Sequence, residues 1–211
     1  MMERSSGFFL LLFLVGCTLL AAGCTTPRMS DTHNTTVVIQ DYNSWADQQG
    51  TYYSQVSSAL TQIGNTVDAY NRDTAAPSSD PVALRRDVAA DQQAIGQWGA
   101  ASAVLGSATD TFSSATSSLT FGNDPDSLQL TGLLAQEMKI YSIDMSNAQQ
   151  HFVDYNRDLT GYLSVDDPDF RDDSLRTAAM DAKALGLSSL EDGDDALSNI
   201  TAMAHLLQQR Q

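Results

Sequence analysis

Three histidines, two cysteines and two runs of carboxylates are the side chains here whose types could do chemistry. His151 and His205 fall in separate helical stretches, and with Met145 or Met203 as soft ligands they would suit copper. The first acidic run is Asp166, Asp167, Asp169, Asp172 and Asp173. The second is Glu191, Asp192, Asp194 and Asp195 around Gly193. Oxygen-rich loops of this kind suit calcium, but neither run has EF-hand spacing. Acids at a helix start also stabilise it without any metal. The expectation is therefore no metal centre and no cofactor. Should a metal bind, the candidates are Asp166, Asp167, Asp169, Asp192, Asp194, His151 and His205.

Catalytic patterns are harder to find. A di-iron bundle needs inward glutamates and Glu-x-x-His pairs. Beyond Glu3 the chain has only Glu137 and Glu191, and neither has His three residues on. There is no His-Glu-x-x-His, Gly-x-Ser-x-Gly or Gly-x-Gly-x-x-Gly. Lys139 and Lys183 follow Met and Ala rather than the glycine of a phosphate-binding loop. No catalytic residue is expected, and the chain reads as a non-enzyme. Tyr-Asn-Arg-Asp occurs twice, at 70–73 and 155–158. Each copy closes an apolar stripe and is followed by Asp-Pro, at Asp80-Pro81 and Asp167-Pro168. Either a helical hairpin was duplicated, or the same helix-ending chemistry arose twice.

The charge balance limits partners. With 26 acids against 11 bases, the formal net charge is −15. Aspartate supplies 23 of the acids and arginine 9 of the bases. Such a surface repels phosphates, so no nucleic-acid partner is expected.

The elements that must position these residues begin after an unusual N-terminus. Phe8 to Leu20 is apolar apart from Gly16, Cys17 and Thr18, which suits the core of an export signal. It closes on Leu20-Ala21-Ala22-Gly23-Cys24. This segment resembles a prokaryotic membrane-lipoprotein signal, and the resemblance covers the signal alone. It implies lipidation of Cys24, which would leave polar Thr25-Thr26-Pro27 behind it. Leu14-Val15-Gly16-Cys17 also matches the pattern, with Cys17 the less favoured site. Residues 1–23 would then be the signal, 24–40 a flexible tether, and 41–211 the folded domain. The membrane would be one partner, through the lipid, with the protein on the extracytoplasmic side. Asn34-Thr35-Thr36 in the tether reads as a glycosylation sequon at Asn34. No cysteine follows Cys24, so the domain must be held by packing.

From residue 41 onward the periodicity is helical. Trp45, Tyr52, Val56, Ala59, Ile63, Val67 and Tyr70 form one stripe. Leu84, Val88, Ile95, Trp98, Leu105, Phe112 and Leu119 form a second, with Ser102, Thr109 and Thr116 between. Leu128, Leu134, Met138, Tyr141, Met145, Ala148, Phe152, Tyr155, Leu159 and Tyr162 form a third. The last stripe, Leu175 to Leu185 and then Ala196 to Leu207, is interrupted by Gly186 and the acidic run around Gly193. Asp80, Asp124 and Asp167, each before a proline, are expected helix caps. The reading is an all-α, up-down four-helix bundle with its last helix broken, and with two hairpins that are duplicates or look-alikes. Tyr42, Tyr53 and Tyr162 would add an aromatic surface. The expected function is a non-enzymatic interaction or structural module with an unidentified protein partner, open to homo-oligomerisation. The alternative is a binding module holding a small ligand or metal between helices.

Overall fold

The computed structural model describes residues 29–74, 81–122 and 124–211. Four long helices account for nearly all of them: α1 (Met29–Thr74), α2 (Pro81–Ser117), α3 (Pro125–Leu163) and α4 (Asp173–Gln208). One 3-10 turn, Pro168–Phe170, precedes α4, and no strand occurs among the described residues. The chain is thus an all-α, four-helix bundle.

Heptad spacing makes this arrangement. On α2 the buried positions Leu84, Val88, Asp91, Ile95, Trp98, Leu105, Thr109, Phe112 and Thr116 advance by three, four or seven residues. On α3 the series from Thr131 through Leu134, Met138, Tyr141, Met145, Ala148, Phe152, Tyr155 and Leu159 to Tyr162 does so without a gap. Such a stripe keeps one face on its neighbours when helices cross at small angles. Consecutive helices run antiparallel: Trp45 reaches Thr109 and Thr66 reaches Asp91 across α1 and α2. α1 and α3 run parallel on the diagonal, joined by the rings of Trp45, Tyr52 and Tyr141. At 1.5 Å per residue, α3 makes the bundle a rod roughly 58 Å long.

Several boundaries differ from the sequence expectation. Helix α1 includes residues 29–40, expected as tether, because Thr35, Val38 and Ile39 are buried and extend the Trp45 stripe backward. Helix α4 is continuous rather than broken. Gly186 and Gly193 are both buried against α3, where they permit close approach. A Cβ on Gly186 would lie 2.8 Å from the Phe152 ring and 3.4 Å from the Ala148 carbonyl. A Cβ on Gly193 would overlap the Met145 methyl. Gly186 takes the core position expected of Leu185, which is exposed. Leu128 is likewise exposed, while Ser127 and Thr131 are buried on α3.

The caps divide similarly. Asp124 caps α3 as expected, accepting from the Ser127 amide at 3.0 Å and the Ser127 hydroxyl at 2.5 Å. Those bonds, the Ser127 hydroxyl foremost, hold its carboxyl below the usual range. Asp167 does not cap α4. It accepts from the Asp169 amide at 3.0 Å within the 3-10 turn, and Asp172 caps α4 through the Ser174 amide. Asp80 lies outside the described residues.

The two Tyr-Asn-Arg-Asp copies occupy different positions. α1 ends four residues after Tyr70, with Arg72 in its last turn, whereas α3 continues eight residues past Tyr155. Asn71 is exposed, while Asn156 is buried and donates to the Val88 carbonyl at 2.8 Å. Tyr70 and Tyr155 are both buried in the core, but the copies differ in their asparagines and in their distance from the helix end.

Candidate functional site

The expected metal ligands do not converge. Phe152 faces Gly186 and Met145 faces Gly193, which sets the register of α3 against α4. In that register His151 lies opposite Leu187, about 18 residues and roughly 27 Å along the helix from His205. Met145 is packed in the core, and the exposed His205 lies 3.3 Å from the Gln209 side chain. The copper arrangement is therefore absent from the fold.

The carboxylates of the first acidic run have separate structural contacts. Asp166 pairs with Arg85, Asp167 closes the 3-10 turn, Asp172 caps α4, and Asp173 pairs with Arg176 at 3.4 Å. Asp169 is exposed. The second run is split around α4. Asp192 acts on Asp144 of α3, whose carboxyl is raised first by burial and then by that charge. Asp194 lies between α1 and α3, where its charge adds to the burial that raises Tyr53 and Tyr141. Burial, then Asp195 and Glu191, raises Asp194 itself. Among the described residues no three His, Cys, Asp or Glu side chains are placed to hold a metal ion.

Cys17 and Cys24 lie outside the described residues. No described helix is long and apolar enough to cross a membrane. Asn34 sits within α1, where its Nδ2 donates to the Thr120 carbonyl at 2.6 Å. The nitrogen that would carry a glycan is thus engaged, and the residue is not in loose chain. Of the tyrosines expected at the surface, Tyr162 turns inward, while Tyr42 and Tyr53 are half-buried at the rim of the core. Tyr162 is buried against Tyr70, beneath the Arg171 guanidinium. Tyr42 stacks on Trp45, and burial raises its hydroxyl.

A buried polar layer is what sequence reading missed. Asp91 occupies a core heptad position between Val88 and Ile95 and is fully buried. Its Oδ1 accepts from the Thr66 hydroxyl at 2.8 Å. Its Oδ2, and the hydroxyl of buried Tyr155, have no protein partner. Burial is the largest influence on Asp91 and pushes its carboxyl up to about 6; Thr66 and Gln62 pull it down, and Asp87 adds to the rise. Tyr155 is raised by its own burial and then by Asp91. The signal was present as the seven-residue step from Val88 to Ile95, with an aspartate at the skipped position.

The bundle's grooves are open and its exterior uneven. One groove of about 330 Å³ is lined by Arg85, Val88, Thr160, Leu163 and Ser164. Another, of about 310 Å³, runs along small residues of α2 and α3, including Gly99, Gly106 and Ser146. Among the described residues, α1 exposes no large apolar side chain. Leu128, Leu133, Ile140 and Ile143 are exposed on α3, and Met180, Leu185, Leu187 and Leu206 on α4. Comparison with protein-family models, with curated proteins and with solved structures finds no match for this chain.

Proposed function

We propose that this chain is a lipid-anchored protein of the extracytoplasmic membrane face whose helical bundle is a non-enzymatic interaction or structural module. The observation that carries this reading is the uneven exterior. Of the twelve exposed large apolar side chains among the described residues, eight lie on α3 and α4, two (Val82 and Val104) on α2, two (Val165 and Phe170) in the α3–α4 connection and none on α1. Ile140 and Ile143, one turn apart, are 38% and 50% exposed, and Leu133 sits two turns before Ile140. Aliphatics exposed mainly on one half of a strongly acidic protein fit a docking face, since each gains free energy when a partner covers it. The anchoring half of the proposal rests on the signal-like N-terminus and Cys24.

Two experiments test it. Cys24→Ser should release or misprocess the protein in cells while Cys17→Ser does not; the opposite pattern would move the lipid to Cys17. Ile143→Asn should leave the melt nearly unchanged, because exposed substitutions usually alter stability by less than about 0.5 kcal/mol. It should nevertheless collapse the native-gel complex from detergent-solubilised membranes to the mobility of the isolated chain. A wild-type protein already migrating alone, with a melting midpoint raised by one small ligand or metal, would favour a binding module instead.

A further inference from the structure

We propose that Thr66, Asp91 and Tyr155 form a proton-binding site inside the bundle, one that takes up a proton as the surroundings turn mildly acidic and tightens the junction of α1, α2 and α3. Three observations converge on this layer. Asp91 is fully buried at a core position where an apolar side chain would be ordinary. Only its Oδ1 is satisfied, by Thr66 of α1. Tyr155 of α3, electrostatically coupled to Asp91, brings a buried hydroxyl that also lacks a protein partner.

A buried carboxylate is costly when no cation or set of donors compensates it. The groups acting on Asp91 are the Thr66 hydroxyl and Gln62 amide from α1, and the like charge of Asp87 from α2. On α4 the residues buried at this level are Ala179 and Ala182. Asp181 and Lys183, flanking Ala182, act on neither Asp91 nor Tyr155. On α3 the exposed Arg157 pairs with Asp154 and Asp158, so among the described residues no positive charge offsets the anion. Protonation removes the charge and converts Oδ2 from an unpaired acceptor into a donor. The Tyr155 hydroxyl is an acceptor on the neighbouring helix.

The sign follows from linkage. Asp91 is raised from 3.8 to about 6 in the folded chain. Between those values the native state holds a proton that the unfolded chain has lost. Stability therefore rises as pH falls through the folded value, and the gain is complete below the unfolded one. Within that window the folding equilibrium constant changes by up to about tenfold per pH unit.

Thermal melts of the full chain in detergent at about pH 5 and about pH 7.5, for wild type and Asp91→Asn, test the proposal. The wild-type midpoint should be higher at the acidic pH. Asp91→Asn should raise the midpoint at the higher pH and flatten the dependence. Relief of surface repulsion among the other acids is common to both proteins, so their difference isolates Asp91. An unchanged slope in Asp91→Asn would overturn the proposal. If that variant does not fold, the wild-type Asp91 carboxyl ¹³C resonance decides. A midpoint about two units above an ordinary aspartate supports the site, and an ordinary midpoint overturns it.

Discussion

Where α1 meets α2, buried positions are filled by Trp45, Tyr52, Trp98 and Phe112, and hydrogen bonds cross the seam. The Trp45 indole donates to Thr109 at 2.9 Å, and the Trp98 indole to the Tyr52 hydroxyl at 2.6 Å. Where α4 meets α3, α4 brings Ala179, Ala182, Gly186, Gly193, Ala196 and Ala204, with Ile200 and Leu207 the larger exceptions. The large residues there belong to α3: Met138, Met145 and Phe152. Both seams obey the heptad, but one is filled from both sides with polar links and the other pairs large with small. The outer faces differ too, since the exposed aliphatics belong mainly to α3 and α4. One hairpin is thus knitted internally and exposes only Val82 and Val104 among its large apolar side chains, while the other packs closely and keeps more apolar surface outside.

The comparison can be broken most forcefully at Trp98. Trp98→Ala removes a fully buried ring that contacts Phe152, and takes the indole donor away from the Tyr52 hydroxyl, leaving it only the long bond to the Met145 carbonyl. A loss of about 3–5 kcal/mol is expected in chemical denaturation. At the other seam, enlargement rather than truncation should do the damage. Gly186→Ala gains about 1 kcal/mol of helix propensity, yet overpacking at the Phe152 ring costs about 1–3 kcal/mol. A net loss of about 1 kcal/mol should appear as a lower midpoint. Gly193→Ala should lose less, because the obstacle is the end of the flexible Met145 side chain. The smallest effect has the opposite sign. Gly64 is exposed on α1 with open space where a Cβ would go. Gly64→Ala should stabilise by about 0.5–1 kcal/mol. If Gly186→Ala also stabilised the protein, the close seam would not exist as described.

The fold was legible because apolar spacing is redundant: Trp45 to Tyr70, Leu84 to Phe112 and Leu134 to Tyr162 each repeat the same face. Features resting on single residues were not. Gly186 and Gly193 look like helix breaks in sequence, since a glycine's local cost is visible there and its tertiary reward is not. Thr35, Val38 and Ile39 sit among polar residues that read as tether until their burial is seen. Asp167 and Asp172 are both plausible caps, and only backbone geometry selects Asp172. His151 and His205 became separable once the glycine contacts set the register of their helices. Asp91 was hidden for another reason. An acid in a heptad core contradicts patterning, and such contradictions concentrate where a protein keeps polar function.

Site-specific photo-cross-linking in intact cells, at Ile143 on α3 and at Ser58 on the outer face of α1, tests the proposed docking half most directly. Both positions are exposed, so accessibility alone does not separate them. A discrete adduct from Ile143 and none from Ser58 is the predicted result. Equal adducts from both positions, or none from either, would contradict a docking face on the α3–α4 half.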